Sequence, residues 1–340
     1  MNSNGSLARM SRTKVYLTRK IPSPGFEIIS DKADVVMNEV DLPPSREELL
    51  RNVADADGLL CLLTDKIDEE VMSHSPKLKI ISSLSVGYDH IDVEAATSRG
   101  IYVAYTPRVL TDATADFTWA LLMTTARRVA EADRLIKNGE WNLPWSPFFM
   151  LGTEVSGKTL GILGLGRIGS EVARRAMGFK MKTIYYDVIR APPEKEKELS
   201  ARFVDLETLL QSSDFISIHL SLSEQTIGLI DASKLKLMKS NAILVNTARG
   251  NIIDENALIR ALQEGWIRGA GLDVYCQEPI NPNHAFLSLK NVVLAPHLAS
   301  ATTETRSKMA EIAANNLISA LSGIEPQYVV NPKVGRTAGD

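Results

Sequence analysis

The sequence predicts an α/β protein in which a doubly wound parallel-sheet domain is inserted into a smaller α/β domain. Three observations predict it. Short apolar runs alternate with helical stretches along most of the chain, the pattern of parallel strands with covered faces. A glycine-rich turn stands in mid-chain between a strand-like and a helix-like segment. At 340 residues the chain exceeds one comfortable hydrophobic core, so two domains are expected.

In the first third, residues 14–18 read as the clearest strand and 33–37 as a weaker one. Residues 58–62 and 78–82 follow, with a helical segment over 67–73 between them. Tyr105-Thr106-Pro107 ends a further strand, because a residue before proline is pushed out of the helical region. A long helix is expected from Thr111, as N-cap, through Leu121, Val129 and Leu135 to a stop at Asn138-Gly139. An aromatic, proline-bearing loop then runs from Trp141 through Trp145 to Phe149. Six strands are predicted beyond it, over 160–163, 183–187, 215–219, 242–246, 269–273 and 292–295, with helices such as Glu255–Gln263 between them. That is the strand count of a doubly wound nucleotide-binding sheet. A last helix, 304–321, comes after all of these, and the early domain lacks a closing element. The helix is therefore expected to pack back onto that domain. This places one discontinuous domain at 12–108 and 303–334, the inserted domain at 109–302, and flexible tails at 1–11 and 335–340.

Composition narrows the function classes. Hydrophobic residues make up 44% and charged residues 23%, as in ordinary globular proteins. A net charge of -3 offers no electrostatic case for nucleic acid or an anionic membrane. No apolar run approaches the roughly 20 residues that span a bilayer. The polar start at Met1 lacks the apolar core of a secretory signal. Cys61 and Cys276 lie far apart in apolar stretches and read as buried small hydrophobes, without disulfide or metal spacing. A reducing, cytoplasmic setting is expected.

The turn itself is Gly164-Leu165-Gly166-Arg167-Ile168-Gly169. Glycines punctuate many loops, so context decides. An apolar strand leads in, a helix over 170–177 with Gly178 as its cap leads out, and Asp187 closes the next strand about 20 residues further on. Gly164 permits the tight turn, Gly166 lets a pyrophosphate approach the backbone, and Gly169 lets helix and strand pack closely. The helix N-terminus supplies N–H groups and a positive dipole end. The chemistry is that of a nicotinamide dinucleotide site. A carboxylate at Asp187 can bond both adenosine ribose hydroxyls and repels a 2′-phosphate, favouring NAD(H). Arg190 reads as a solvated loop charge, yet could pair with a phosphate, so NADP(H) stays open.

These residues, with Ser85-Val86-Gly87-Tyr88-Asp89-His90, Val245-Asn246-Thr247-Ala248-Arg249-Gly250, Gly271-Leu272-Asp273-Val274, Glu278-Pro279 and Ala295-Pro296-His297, resemble the D-2-hydroxyacid dehydrogenase family. The likeness covers about residues 13–332. Within the family it is most similar to glyoxylate/hydroxypyruvate reductases, through Thr18-Arg19-Lys20-Ile21-Pro22, residues 58–63 and Tyr105-Thr106-Pro107 followed by Val109-Leu110-Thr111-Asp112. The resemblance implies a Rossmann-type domain inserted into a flavodoxin-like substrate domain, and a catalytic triad of Arg249, Glu278 and His297.

The triad can also be reasoned from chemistry. Reducing a 2-oxo acid needs a hydride on the carbonyl carbon and a proton on its oxygen. An imidazole at His297 can give that proton, and Glu278 can hold its tautomer and favour its charged form. Arg249 can grip the substrate carboxylate through its planar fork. All three follow predicted strand ends, where ligands of open α/β sheets bind. The family also implies carboxylate binding by the backbone of Ser85, Val86 and Gly87, a hydroxyl contact from Ser300, and a nicotinamide-carboxamide acceptor at Asp273. It further implies a pyrophosphate contact at Arg167, and Thr111 and Thr247 near the nicotinamide. His219 reads as core; His74, His90 and His284 read as structural. In the similar reductases the aromatic arm crosses a homodimer, making Trp145 a candidate at the partner's site; apolar interface packing is the alternative. Phosphoglycerate or phosphite dehydrogenase on the same scaffold, and an NAD-sensing corepressor-like binding protein, are the competing readings. The substrate is expected in a cleft between the two domains.

Overall fold

The computed structural model describes residues 12–332 and 334. The expected tails at 1–11 and 335–340, and the polar start at Met1, lie outside the described residues. The chain divides into two compact units. One ends at Leu110 and resumes at Thr302; the other spans Thr111–Ala301.

The first unit is a parallel sheet of β1 (Lys14–Leu17), β2 (Asp34–Met37), β3 (Gly58–Cys61), β4 (Ile80–Ser83) and β5 (Tyr102–Ala104). Its order is β2-β1-β3-β4-β5, the flavodoxin-like arrangement. β3 and β4 are buried at every residue, which is why they read as continuous apolar runs without alternation. The helix Thr303–Leu321 packs on β3 and β4, placing Ala310, Ala313, Ala314 and Leu317 in one core with Val15, Leu17, Leu60 and Ile80. Small alanines let this helix approach the sheet closely. The buried Ser82 hydroxyl donates to the Ala313 carbonyl at 2.8 Å.

β5 stands at the sheet edge, and the C-terminal segment covers it. Ala104 and Val329 form an antiparallel bridge. Val330 donates its N–H to Val103 at 2.8 Å, and Tyr105 to Tyr328 at 3.2 Å. Buried Asn331 completes the cover. Its Oδ1 accepts from the Val103 N–H at 2.8 Å, while Nδ2 donates to the Ile101 carbonyl at 2.9 Å and the Thr97 hydroxyl at 3.0 Å. An exposed row of backbone donors is thereby removed from solvent.

The second unit is a seven-stranded parallel sheet. Its strands are β6 (Thr159–Leu163), β7 (Lys182–Tyr186), β8 (Ala201–Phe203), β9 (Phe215–Ile218), β10 (Ile243–Asn246), β11 (Gly269–Leu272) and β12 (Val292–Leu294). The order β12-β11-β10-β9-β6-β7-β8 reverses direction between β6 and β9. That switch point is where open α/β sheets bind ligands, outside the strands' carboxyl ends.

Several expectations need correction. The sheet has seven strands, not six: β8 is three residues long at the edge, too short to show a period in sequence. The helix expected over 67–73 is Glu69–Ser73, capped by the Asp68 side chain, because Ile67 is drawn into a bridge with Ile91. The long helix from Thr111 is two, Thr111–Ala126 and Val129–Lys137, broken where Arg128 takes a left-handed φ of 55°. Arg128 grips Glu131 with two bonds of 2.8 and 2.6 Å, which holds the break. Thr111 is a helical residue and not its cap. Gly178 ends the helix Arg167–Gly178, and Lys180, at φ 55°, makes the left-handed turn instead. Cys276 is exposed, whereas Cys61 is buried as expected.

Asn331→Ala removes three buried hydrogen bonds and should destabilise the first unit by about 2–3 kcal/mol. Urea unfolding with far-UV dichroism measures this; a change below about 0.5 kcal/mol would show that the clasp on β5 contributes nothing.

Candidate active site

The chemistry-bearing residues of the second unit all follow strand ends. The turn after β6 comes first. Gly164 has φ 94°, open to glycine but strained for an L side chain. A Cβ on Gly169 would run into the Gly164 carbonyl, so the helix Arg167–Gly178 can start this close to β6 only with glycine there. A Cβ on Gly166 would meet nothing, leaving open space directly at the helix N-terminus. No side chain caps that terminus, and Arg167 beside it is exposed. Uncapped N–H groups facing open space fit a pyrophosphate.

Asp187, just past β7, completes this cradle. One carboxylate oxygen accepts the Leu165 N–H at 2.8 Å, the other the Val188 N–H at 2.8 Å. The side chain is thus fixed beside the glycine turn, where ribose hydroxyls would be read. Arg190 is engaged elsewhere, by Glu196 at 2.8 and 2.9 Å. The residues present fit NAD(H).

The loops after β10, β11 and β12 meet through short-range contacts. Asn246, at the end of β10, is buried and braces the following turn: its Nδ2 donates to the Arg249 carbonyl at 2.8 Å and its Oδ1 accepts the Ala248 N–H at 3.0 Å. Gly250 then passes so close to Tyr275 that a Cβ would collide with the Tyr275 carbonyl group. This approach brings Arg249 to the segment carrying Glu278. The Tyr275 hydroxyl, largely buried, shares its one proton between the carbonyls of Leu272 and Ala295 at 3.2 and 3.0 Å, tying the ends of β11 and β12 together.

Glu278 and His297 form the central pair. Glu278 Oε1 accepts the Tyr275 N–H at 3.1 Å, and Oε2 takes His297 Nδ1 at 2.7 Å. Burial pushes the Glu278 carboxyl up, but the hydrogen bond and charge of His297, the Tyr275 N–H and the Arg249 charge outweigh it, so its pKa lies below the ordinary carboxylate value. It is ionised at neutral pH and accepts from Nδ1–H. His297 Nε2 meets no acceptor among the described residues, and the side chain is 24% exposed.

His297 has φ 55°, a left-handed conformation uncommon outside glycine, and the surroundings hold it there. Its N–H donates to the Asp273 carbonyl at 2.9 Å. The Asp273 carboxylate, fully buried, accepts from the N–H groups of Leu298 and Ala299 at 2.7 and 2.8 Å. Burial drives this carboxyl's pKa up, against those two bonds and the His297 charge. The sequence expectation puts Asp273 against a nicotinamide carboxamide; each of its oxygens accepts one N–H of the His297 segment and keeps a further lone pair.

Other expected residues fall as follows. Thr247 is buried with its hydroxyl 2.9 Å from that of Thr118, and Thr111 is half-buried at its helix start. Ser300 is half-buried. Trp145 is 86% exposed. His219 is not core in the plain sense. It stands just past β9, half-buried, with Ser217 Oγ 2.7 Å from Nε2, and its backbone abuts Gly164. Burial holds its pKa down to about 3, so it is neutral. In the first unit, the Ser85 hydroxyl is spent within its own loop, on Ser83 and the Gly87 carbonyl. The N–H groups of Val86 and Gly87 donate to no acceptor among the described residues. Sequence reasoning missed Tyr275, Asn246 and Lys195, whose Nζ donates to the Leu165 carbonyl at 2.8 Å. Only the position of the first two at strand ends could have signalled them.

The family model for the D-isomer specific 2-hydroxyacid dehydrogenase NAD-binding domain matches residues 119–299. A glyoxylate reductase of Thermofilum pendens is 54% identical over 326 residues, 96% of each chain. A solved structure from Thermus thermophilus superimposes with a TM-score of 0.88 at 42% identity, over 94% of this chain and 100% of that one. An NADPH-dependent glyoxylate/hydroxypyruvate reductase from Sinorhizobium meliloti, in complex with NADP and malonate, gives a TM-score of 0.83 at 31% identity, over 97% and 100%. With a glycine turn after β6, a bonded carboxylate–imidazole pair after β11 and β12, and these relatives, this chain belongs to the D-isomer specific 2-hydroxyacid dehydrogenase family.

Proposed function

We propose that the protein reduces a small 2-oxo acid, glyoxylate or hydroxypyruvate, to the D-2-hydroxy acid with NAD(H) as the favoured cofactor. The observation that carries this reading is the 2.7 Å bond between His297 Nδ1 and an ionised Glu278, which leaves Nε2 to the substrate. A bound reduced nicotinamide supplies the hydride to the carbonyl carbon. His297 Nε2 gives its proton to the carbonyl oxygen and becomes neutral imidazole; the reverse reaction returns it. Glu278 fixes the tautomer and stabilises the imidazolium. Arg249 holds the substrate carboxylate and draws charge from the carbonyl. The N–H groups of Ser85, Val86 and Gly87 are assigned to the same carboxylate, Ser300 to a hydroxyl contact, and Thr111, Thr247 and Arg167 to the cofactor. Asp273 is assigned to the nicotinamide carboxamide, beside the two N–H bonds by which it holds the His297 segment.

We also infer a homodimer. The helix Val129–Lys137 buries none of its residues, and Val129, Ile136, Trp141, Leu143, Trp145, Phe148 and Leu151 on or after it are exposed. So many exposed apolar residues within one stretch of chain point to an interface, and Trp145 is the candidate for reaching the partner's site. A reducing, cytoplasmic location accords with the two free cysteines. No helix among the described residues is long and apolar enough to cross a membrane.

Turnover of glyoxylate, hydroxypyruvate and pyruvate with NADH tests the activity; absence of turnover with all three, and with NADPH, would refute it. His297→Asn should lower kcat by about 10²–10⁴-fold with cofactor affinity kept; near-normal kcat would remove His297 as the acid. Glu278→Gln removes the carboxylate that orients the His297 ring, so kcat should fall by about 10²-fold with cofactor affinity kept. An unchanged kcat would contradict the pairing. Sedimentation at micromolar concentration should show a dimer, and Trp145→Arg with Phe148→Arg should yield monomer. A wild-type monomer would end the dimer assignment.

A further inference from the structure

The segment after Asp187 holds a guanidinium that a phosphate could use. Arg190 lies three positions past the ribose carboxylate, yet Glu196 holds it by both oxygens, Nε to Oε1 at 2.8 Å and Nη2 to Oε2 at 2.9 Å. Glu196 is itself held. The Tyr185 hydroxyl donates to its Oε1 at 2.6 Å while accepting the Ala191 N–H at 2.9 Å, and the Glu196 side chain is only 13% exposed. The guanidinium carbon lies 5.7 Å from the centre of the Phe203 ring, a cation–π contact, and Tyr185 packs edge-on against the same ring at 5.4 Å. Phe203 belongs to β8, which flanks β7 on the side opposite β6. Asp187 turns the other way, toward the Leu165 N–H of the glycine turn after β6. The two side chains thus part to opposite sides of β7. Glu196 lies in the short helix Pro193–Glu198, which Lys195 anchors on the turn through the Leu165 carbonyl.

We propose that Glu196 sets cofactor choice by pinning Arg190 over Phe203, which withholds the guanidinium from the 2′-phosphate of NADPH. Asp187 supplies the attraction for ribose hydroxyls; Glu196 removes the compensation that would let a phosphate be accepted beside it. Discrimination is therefore built from two carboxylates, one facing the ribose and one facing away. The inference rests on the NAD(H) reading above.

Fluorescence titration gives dissociation constants for NADH and NADPH with wild type, Glu196→Gln, Arg190→Ala and the double variant. Glu196→Gln keeps a carbonyl for the Tyr185 hydroxyl but loses the charge that clamps Arg190. It should tighten NADPH about tenfold, the size of one charge-assisted contact, with NADH unchanged within about twofold. The double variant should lose that gain, and Arg190→Ala alone should leave NADPH binding as in wild type. An unchanged NADPH constant in Glu196→Gln, or a gain that survives in the double variant, overturns the proposal. NADH that fails to bind wild type overturns the cofactor reading beneath it, a result distinct from either.

Discussion

Every strand of the larger sheet runs the same way, and the placement of the chemistry depends on that single constraint. Parallel pairing forces each strand's carboxyl end to the same edge, so the turn after β6, Asp187 after β7, Arg249 after β10, Glu278 after β11 and His297 after β12 emerge along one side of it. No long-range folding of loops is needed to gather them. Short contacts finish the alignment: the Tyr275 hydroxyl between two strand ends, the glycine at 250 against Tyr275, and the two oxygens of Glu278 divided between a backbone N–H and an imidazole.

Two carboxylates, Glu278 half-buried and Asp273 fully buried, behave oppositely within this small space. Glu278 is kept ionised because a histidine, an N–H and an arginine charge outweigh its burial. Asp273 is pushed toward protonation because its burial prevails over two N–H bonds and the His297 charge. The difference suits the roles proposed for them: Glu278 carries charge beside His297, and Asp273 bonds the loop in which His297 keeps a positive φ.

Much of this was legible in the residues. The strands read well where they are fully buried, as in β3, β4, β9 and β10, because a continuous apolar run survives in the sequence. Predicted strands overran their ends at Thr18, Asp187, His219 and Asp273, since sequence hydrophobicity does not register where ladder pairing stops. The break at Arg128 was invisible because the apolar spacing carries across it, and only the Arg128–Glu131 clamp explains it. β8 was too short for any period. In the site, the strand-end positions of Arg249, Glu278 and His297 could be read, but the bonds that Tyr275 and Asp273 make could not. Those depend on which backbone groups lie across from them, information held by neighbouring strands and not by spacing along the chain.

The clasp of Asn331 on β5 has a consequence for how the chain is made. Strands β1 to β5 leave the ribosome first, yet their edge cover and the helix Thr303–Leu321 that seals β3 and β4 leave it last. The inserted unit, by contrast, has all its sequence once Ala301 has emerged. Synthesis therefore completes the middle of the polypeptide before its beginning, and the earliest strands wait with an apolar face uncovered. The delay between the first strands and their cover is set by the length of the insertion.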